Sequence, residues 1–368
     1  MNTLFDTIEA IVLFVVVLGG LVLLHELGHF VVARLARVRV LEFGIGFPPR
    51  AKVLRSKGET LYTLNWLPIG GFVKLEGEDG DEEESDPRSF VRAKLPIKLL
   101  ILFAGVGMNL LLAVTIFTCF AWFATPFTAV SVTSIVSGSP AESAGLVPGD
   151  TLTAVNGERF DFYSDGSIQK ALRSHAGEAV TLSITHADGT HEDKSVQLRA
   201  TAQIPTGQGT LGVVIADKLL EEYTGRPLDK AVGMGVSETG RWFGLILGGL
   251  GDLVRSVATN PTQAPPVSGP VGIATSLGDV FRNSGLVMTI YVAGILSANL
   301  ALVNVLPFPP LDGGRIFVLL LKAIPRYGAK ISVRAERVTY AIGFVALFGF
   351  LIWITVFDVI RGMGGGAQ

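Results

Sequence analysis

Leu23-Leu24-His25-Glu26-Leu27-Gly28-His29-Phe30 constrains this chain more than any other stretch, because it sets three ionisable side chains at the end of a strongly apolar run. Between Ile8 and Leu24 only Glu9 can ionise. On a helix, His25 and His29 stand one above the other on the same face, where two imidazoles can grip one zinc ion. Glu26, one step along, can reach a metal-bound water as general base. A charge at the centre of a membrane helix costs about 2.5–3.5 kcal/mol on insertion scales, so ionisable groups in such a segment mark function. The bland alternative is a helix ending at the water interface with incidental His and Glu residues.

The rest of the composition agrees with a membrane setting. A chain of 368 residues with 49% hydrophobic side chains and a mean hydropathy of +0.50 is too apolar for an ordinary soluble protein, and has room for several spans plus one soluble domain. A net charge of −2, with no basic stripe, argues against a nucleic-acid partner. The single cysteine, Cys119, lies in an apolar run; it excludes a disulfide scaffold and is expected to be a packed hydrophobe.

Taken in order, Ile8 to Leu35 is expected to form the first membrane helix. A cleaved leader is not expected, since Met1 to Glu9 holds Asp6 and Glu9 and no Lys or Arg, whereas secretory leaders begin positive. Phe43-Gly44-Ile45-Gly46-Phe47 and Thr60 to Trp66 are short strand-like runs bounded by Gly and Pro, followed by Pro68-Ile69-Gly70-Gly71-Phe72-Val73-Lys74. A small hairpin or sheet there would either offer an edge to an extended substrate or simply cap the membrane domain. The acidic run from Glu76 to Asp86 is expected to be solvated. Leu99 to Phe123 is uncharged and long enough for a second span. Its Ala104, Gly105 and Gly107 would let another helix approach closely. Asn109, its polar exception, is either an interhelical hydrogen-bond former or a group near the metal cavity.

From Phe127 the composition becomes that of a soluble domain. Ser139-Pro140-Ala141-x-x-Ala144-Gly145-Leu146-x-x-Gly149-Asp150 and Val155-Asn156-Gly157, with strands near 130–135, 151–157, 180–185, 194–198 and 211–215 and a helix at 167–174, resemble a PDZ domain. Such modules bind extended peptides by strand addition. His175, His186 and His191 are expected at its surface. Val236 to Val254 is too polar for a comfortable span and suits a helix along the interface. Leu286 to Leu306 and Val338 to Ile360 give two more spans. The basic loops, with twelve Lys or Arg between Arg34 and Lys98 and six between Arg315 and Arg337, are expected on the cytoplasmic side. The expected plan is therefore 1–126, two spans and a β-loop; 127–217, the PDZ-like domain; 218–285, a linker with the interfacial helix; and 286–368, two further spans. In class terms this is a polytopic α-helical membrane protein of four transmembrane helices, with a small membrane-associated β-hairpin or sheet and an inserted extracytoplasmic PDZ domain.

Two histidines leave a catalytic zinc one protein ligand short. Between the last two spans stands Asn304-Val305-Leu306-Pro307-Phe308-Pro309-Pro310-Leu311-Asp312-Gly313-Gly314-Arg315, whose prolines and glycines forbid a continuous helix. Broken backbone is tolerated in hydrocarbon only inside protein or at a wet cavity; the alternative is a turn outside the membrane. Asp312 is the only carboxylate at that apolar end, and is the expected third ligand ahead of Glu42, Glu59 and Glu76 in the loop.

The pairing of His25-Glu26-Leu27-Gly28-His29 with Leu311-Asp312-Gly313, around a PDZ-like insertion, resembles the site-2 protease family, nearest the bacterial regulator-of-sigma-E protease type. Pro68 to Lys74, Gly269 to Ala274 and Asn304-x-x-Pro307-x-Pro309 match it too. The resemblance covers essentially the whole chain. It implies zinc-dependent cleavage of transmembrane segments of single-span proteins such as anti-sigma factors, in the bacterial inner membrane. Both termini and the PDZ-like domain would be periplasmic, and the active site would lie toward the cytoplasm. It further implies that Asn304 steadies the substrate or transition state, and that the β-loop around Gly44, Gly46, Gly70 and Gly71 binds substrate in extended form. The chain departs in having one PDZ-like unit where better-known relatives carry two, and in lacking a Pro often found after Gly105. Two rivals are a membrane-anchored metalloprotease acting on soluble chains, with a third ligand in the loop, and a non-enzymatic PDZ scaffold.

Overall fold

The computed structural model describes residues 3–56, 58–78, 86–260, 265–325 and 332–364. The helices are α1 (Thr3–Leu35), α2 (Leu95–Phe123), α3 (Pro140–Ser143), α4 (Ile168–Ser174), α5 (Leu228–Thr259), α6 (Pro270–Val305), α7 (Asp312–Ala323) and α8 (Val333–Gly364). The strands are β1 (Val40–Arg55), β2 (Leu61–Leu75), β3 (Thr125–Ile135), β4 (Thr151–Val155), β5 (Phe160–Asp161), β6 (Ala179–Thr185), β7 (His191–Gln197) and β8 (Val213–Thr224). Among the described residues four helices, α1, α2, α6 and α8, are long and apolar enough to cross a membrane. The 33 residues of α1 rise about 50 Å at ~1.5 Å each, more than the ~30 Å of bilayer hydrocarbon. The chain divides into two compact units, residues 1–118 with 232–368, and residues 119–231.

In the first unit, small residues set how closely the spans approach. A Cβ on Gly28 of α1 would fall 2.4 Å from the Ala104 carbonyl oxygen of α2, and one on Gly294 of α6 would meet Ile116 and Phe117 at 2.9 Å. Such contacts replace the hydrophobic drive that lipid removes. β1 and β2 pair with each other, and bends in both let Val40–Ile45 pair with Leu61–Leu64 as well as with Gly71–Leu75. The expected hairpin is thus a larger folded-back sheet, cored at one end by Val38, Val40, Leu75, Phe90, Ile101 and Leu102.

α6 is two helices joined at a break: one from Pro270, and, after Gly285, the span expected from Leu286. Gly285 (φ 73°, ψ −175°) interrupts it in a conformation open to glycine, and Asp279 and Arg282 in its first half hid that half from an apolar count. The start of α6 is held by a carboxylate from α8. Asp358 Oδ2 accepts the Gly272 N–H at 2.8 Å, and a Cβ on Gly269 would stand 2.9 Å from that same oxygen. α5 is one continuous helix outside the set of candidate spans. It docks on α6 through Glu238, 7% exposed, which accepts hydrogen bonds from Trp242 Nε1 at 3.1 Å and from the Tyr291 hydroxyl.

The acidic run expected to be solvated is only partly so. Residues 79–85 lie outside the described residues, but its flanks are paired: Arg39 bridges Glu76 at 3.1 Å and Asp86 at 3.3 Å, and Arg315 of α7 pairs with Glu78. Folding brings the basic ends of β1 and α7 to these carboxylates, which a count along the sequence does not foresee.

The second unit is an antiparallel sheet around β3, with β8 along one side of it and β5 and β4 in succession along the other; β6 follows β4, and β7 follows β6. Its core collects Val130, Val132, Leu152, Ile168, Leu172, Leu182, Ile184 and Leu211. Ser139 caps α3, accepting the Glu142 N–H at 3.2 Å ahead of Pro140, the residue order that helix starts favour. α4 packs on β4 and is tied by Thr210 Oγ1, just before β8, to the Leu172 carbonyl at 3.0 Å and by Gln169 to Asp217 of β8 at 2.6 Å. β8 runs on to Thr224, so the unit extends past the expected boundary at 217 to Ala231.

Replacing Asp358 with Ala leaves the Gly272 N–H without its charged partner. About 1.5–3 kcal/mol of stability should be lost, read as a lower unfolding temperature of the full chain in detergent. In the second unit, His186 sits between the buried Asp150 (Nδ1 to Oδ1, 2.7 Å) and Glu192 (Nε2 to Oε2, 3.1 Å). The hydrogen bond to Asp150, then that to Glu192, raises its pKa above the ordinary 6.5. The stability these contacts add is therefore complete below the unfolded imidazole's pKa of about 6.5 and fades as pH rises through the higher folded value. An NMR titration of His186 should show that upward shift, and Asp150→Asn should reduce it.

Candidate metal centre

The last third of α1 and the first turn of α7 meet at one point. His25 Nε2 lies 2.9 Å from Asp312 Oδ2, His29 Nε2 lies 3.2 Å from the same oxygen, and the two Nε2 atoms are 3.2 Å apart. Both imidazoles are buried. The helix repeat supplies the first pair without further arrangement, since residues i and i+4 share a face. Asp312 arrives through the break after α6. A Cβ on Gly313 would stand 2.1 Å from the Val305 carbonyl oxygen, one on Gly314 2.7 Å from Phe308, and one on Gly343 of α8 2.2 Å from the Pro309 carbonyl oxygen. The break is therefore packed under α7 and α8 and is not a turn standing free of the helices.

α2 forms the wall behind the histidines. His29 Nδ1 donates to the Ile101 carbonyl at 2.7 Å; since a carbonyl only accepts, Nδ1 carries a proton, and in the neutral ring Nε2 presents its lone pair to the centre. His25 Nδ1 lies 3.3 Å from Asn109 Nδ2. A Cβ on Gly105 would fall 2.4 Å from His29 Nε2 and 2.7 Å from His25 Nε2, so this glycine is what permits α2 to lie against both rings. Glu26 Oε2 accepts the Val73 N–H of β2 at 3.2 Å. Glu26, His29 and Asp312 line a cavity of about 220 Å³ together with Phe47, Gly71, Phe72, Val73, Leu75 and Arg315 among others.

Of the residues picked out from sequence, His25, His29 and Asp312 come together, with Glu26 on the adjoining cavity. Gly71 also lines that cavity; Gly44, Gly46 and Gly70 do not. Gly44 packs instead against the Phe72 ring and Gly70 against Val22, and Gly46 in β1 and Gly70 in β2 have φ of 77° and 70°. Asn304, half-buried near the end of α6, is not among the lining residues either. Sequence reasoning passed over Phe47, Phe72 and Val73, which carry no chemical signal of their own. It took Gly105 for a general packing residue, and the polarity of Asn109 was the sole hint that it stands at the centre.

The model of peptidase family M50 matches residues 13–350. The chain belongs to peptidase family M50. This is the family of the site-2 proteases, to which the paired motifs pointed. A Clostridium perfringens protein named as a candidate zinc metalloprotease is 34% identical over 343 residues, covering 93% of this chain and 96% of its own. A Brucella suis protein similarly named is 29% identical over 376 residues, 96% of this chain and 95% of its own. The zinc metalloprotease RasP of Geobacillus kaustophilus is 28% identical over 436 residues, 96% and 98%.

For this M50 peptidase the donor set fits the metal these names imply. Two imidazole nitrogens and one carboxylate oxygen are a zinc set, and zinc bonds of ~2.0–2.2 Å need donors about 3.4 Å apart in a tetrahedron. The observed 2.9–3.2 Å is within a few tenths of an ångström of that. Gly105→Ala should cut zinc content by at least about tenfold, by analogy with lost supporting contacts at metal sites. Gly107→Ala, whose Cβ would have nothing within 4 Å, should leave it unchanged. Elemental analysis of both purified variants checks this.

Proposed function

We propose that this M50 metalloprotease works within the membrane, cutting transmembrane segments of single-span proteins at a zinc held by His25, His29 and Asp312. The observation that carries this reading is the convergence of three donor atoms from α1 and α7, 287 residues apart, within 3.2 Å. When bound, zinc supplies a Lewis acid and lowers the pKa of a bound water toward about 7. Glu26 takes the proton from the attacking water and returns it to the leaving amine. The Val73 N–H fixes one carboxylate oxygen of Glu26 at 3.2 Å, which leaves the other for that exchange. The Gly71–Val73 stretch of β2, on the cavity wall, is suited to pair with a substrate strand, because a helical substrate shields its carbonyls in its own hydrogen bonds. Helix-breaking residues near the scissile bond should therefore speed cleavage. Asn304 and the β-loop glycines Gly44, Gly46, Gly70 and Gly71 keep the supporting roles that the family resemblance implies.

The second unit is read as the PDZ-like module, with peptide added at β8 beside α4, binding or gating substrates outside the cytoplasm. The basic loops put the metal toward the cytoplasmic side of a bacterial inner membrane and both termini outside. Substrates resembling anti-sigma factors in regulated intramembrane proteolysis follow from the same resemblance.

Glu26→Gln should retain zinc and lose about 10²–10⁴-fold in cleavage rate, measured on a single-span reporter in vesicles and by comparing membrane-protein fragments released by wild type and variant. A variant that cuts the reporter at the normal rate refutes the base assignment. Cleavage of soluble chains alone would favour a membrane-anchored enzyme of ordinary substrates.

A further inference from the structure

Asn109 has no share in the proposed chemistry, yet among the described residues its amide is the group that faces His25 Nδ1. It is fully buried, its Nδ2 lies 3.3 Å from His25 Nδ1, and its Oδ1 is buried with no hydrogen-bond partner among the described residues. An orphaned amide oxygen in an apolar interior is costly. His25 Nε2, meanwhile, sits 2.9 Å from Asp312 Oδ2, the distance of an N–H donating to a carboxylate. In that tautomer Nδ1 is a lone pair, and it is matched by an Asn109 N–H. Once Nε2 gives its lone pair to a metal, the ring proton must sit on Nδ1, and Nδ1 then needs an acceptor.

We propose that Asn109 is a positioning residue for the metal centre: its amide turns by half about Cβ–Cγ, donating to His25 Nδ1 in the empty site and accepting from Nδ1–H in the loaded one. This rests on the reading that His25, His29 and Asp312 hold the zinc. The two amide ends differ in hydrogen-bonding sense and scarcely in shape, so one side chain serves both tautomers, and the turn places Oδ1 on a donor. His29 needs no such device, because its Nδ1 already donates to the fixed Ile101 carbonyl at 2.7 Å. Ile101 and Asn109 lie eight residues apart on one face of α2, with Gly105 midway. α2 thereby orients both rings, one by its backbone and one by a side chain. Metal-bound histidines generally donate their second N–H to such a partner, and losing it costs about 10–100-fold in affinity.

The test is zinc affinity of the full chain in detergent, by competition with a chromophoric chelator, alongside ¹⁵N NMR of labelled histidine. Asn109→Leu should weaken zinc by about 10–100-fold. Asn109→Asp, which can accept but not donate, should stay within a few-fold of wild type. Ser297→Ala is the packing control: it removes the Ser297 Oγ bond to the Asn109 backbone oxygen, 2.8 Å, and should leave zinc affinity unchanged. In zinc-free protein, His25 should carry its proton on Nε2 in wild type and on Nδ1 in Asn109→Asp, a readout that does not need the leucine variant to fold. Wild-type affinity in Asn109→Leu, an equal loss in Ser297→Ala, or an unmoved tautomer in Asn109→Asp each overturns the proposal. His25→Ala separates the two levels. If it keeps zinc, the ligand set is wrong; if it loses zinc while Asn109→Leu does not, only the role of Asn109 falls.

Discussion

The contact of Asp312 with two imidazoles on α1 governs the architecture of the first unit. Histidines four apart on a helix share a face at no cost in chain geometry. A carboxylate at the same spot is harder to supply, because it has to come from elsewhere in the chain and be held dry. The chain does this by stopping α6 at Val305 and restarting at Asp312. The exposed backbone of that break then has to be covered. Gly313, Gly314 and Gly343 let α7 and α8 press against it at distances no larger residue would allow. On the opposite side Gly28 and Gly105 bring α2 against α1 and against the rings themselves.

The sheet of the first unit is coupled to the same point. β2 donates its Val73 N–H to Glu26, so the carboxylate beside the two histidines is anchored by a strand of the sheet. Orientation and chemistry are thereby linked: a shift of that strand moves the carboxylate. Preorganised groups act more strongly where bulk water is excluded from one side, and the burial of both histidines excludes it behind the rings.

Legibility in the sequence followed burial in lipid and chemical type. α1, α2 and α8 were plain because uninterrupted apolar runs have few alternatives in a membrane protein. The first half of α6 was missed because Asp279 and Arg282 broke the apolar pattern, although Gly269-Pro270-Val271-Gly272 marked its start. The reason for those glycines, a carboxylate from α8 at the helix N-terminus, joins segments 86 residues apart and leaves no local trace. The strands of the second unit were close to expectation except for β8, whose polar second half read as linker. Gly44 and Gly46 lie off the cavity lining, where Phe47 and Phe72 stand beside Gly71.

What the sequence determined alone was the chemistry: a His-Glu-x-x-His pair in an apolar helix and a lone aspartate at a proline-rich break leave little for a membrane chain to do but hold a metal. Spacing and solvent preference are local properties, and both are written along the chain. Which atoms stand against those side chains was decided only by tertiary structure. The Ile101 carbonyl is a backbone group common to every residue, Gly105 acts by what it lacks, and Asn109 acquires its meaning from a ring 84 residues away. Such roles depend on distances between helices, and those are fixed when the helices pack, not when they form.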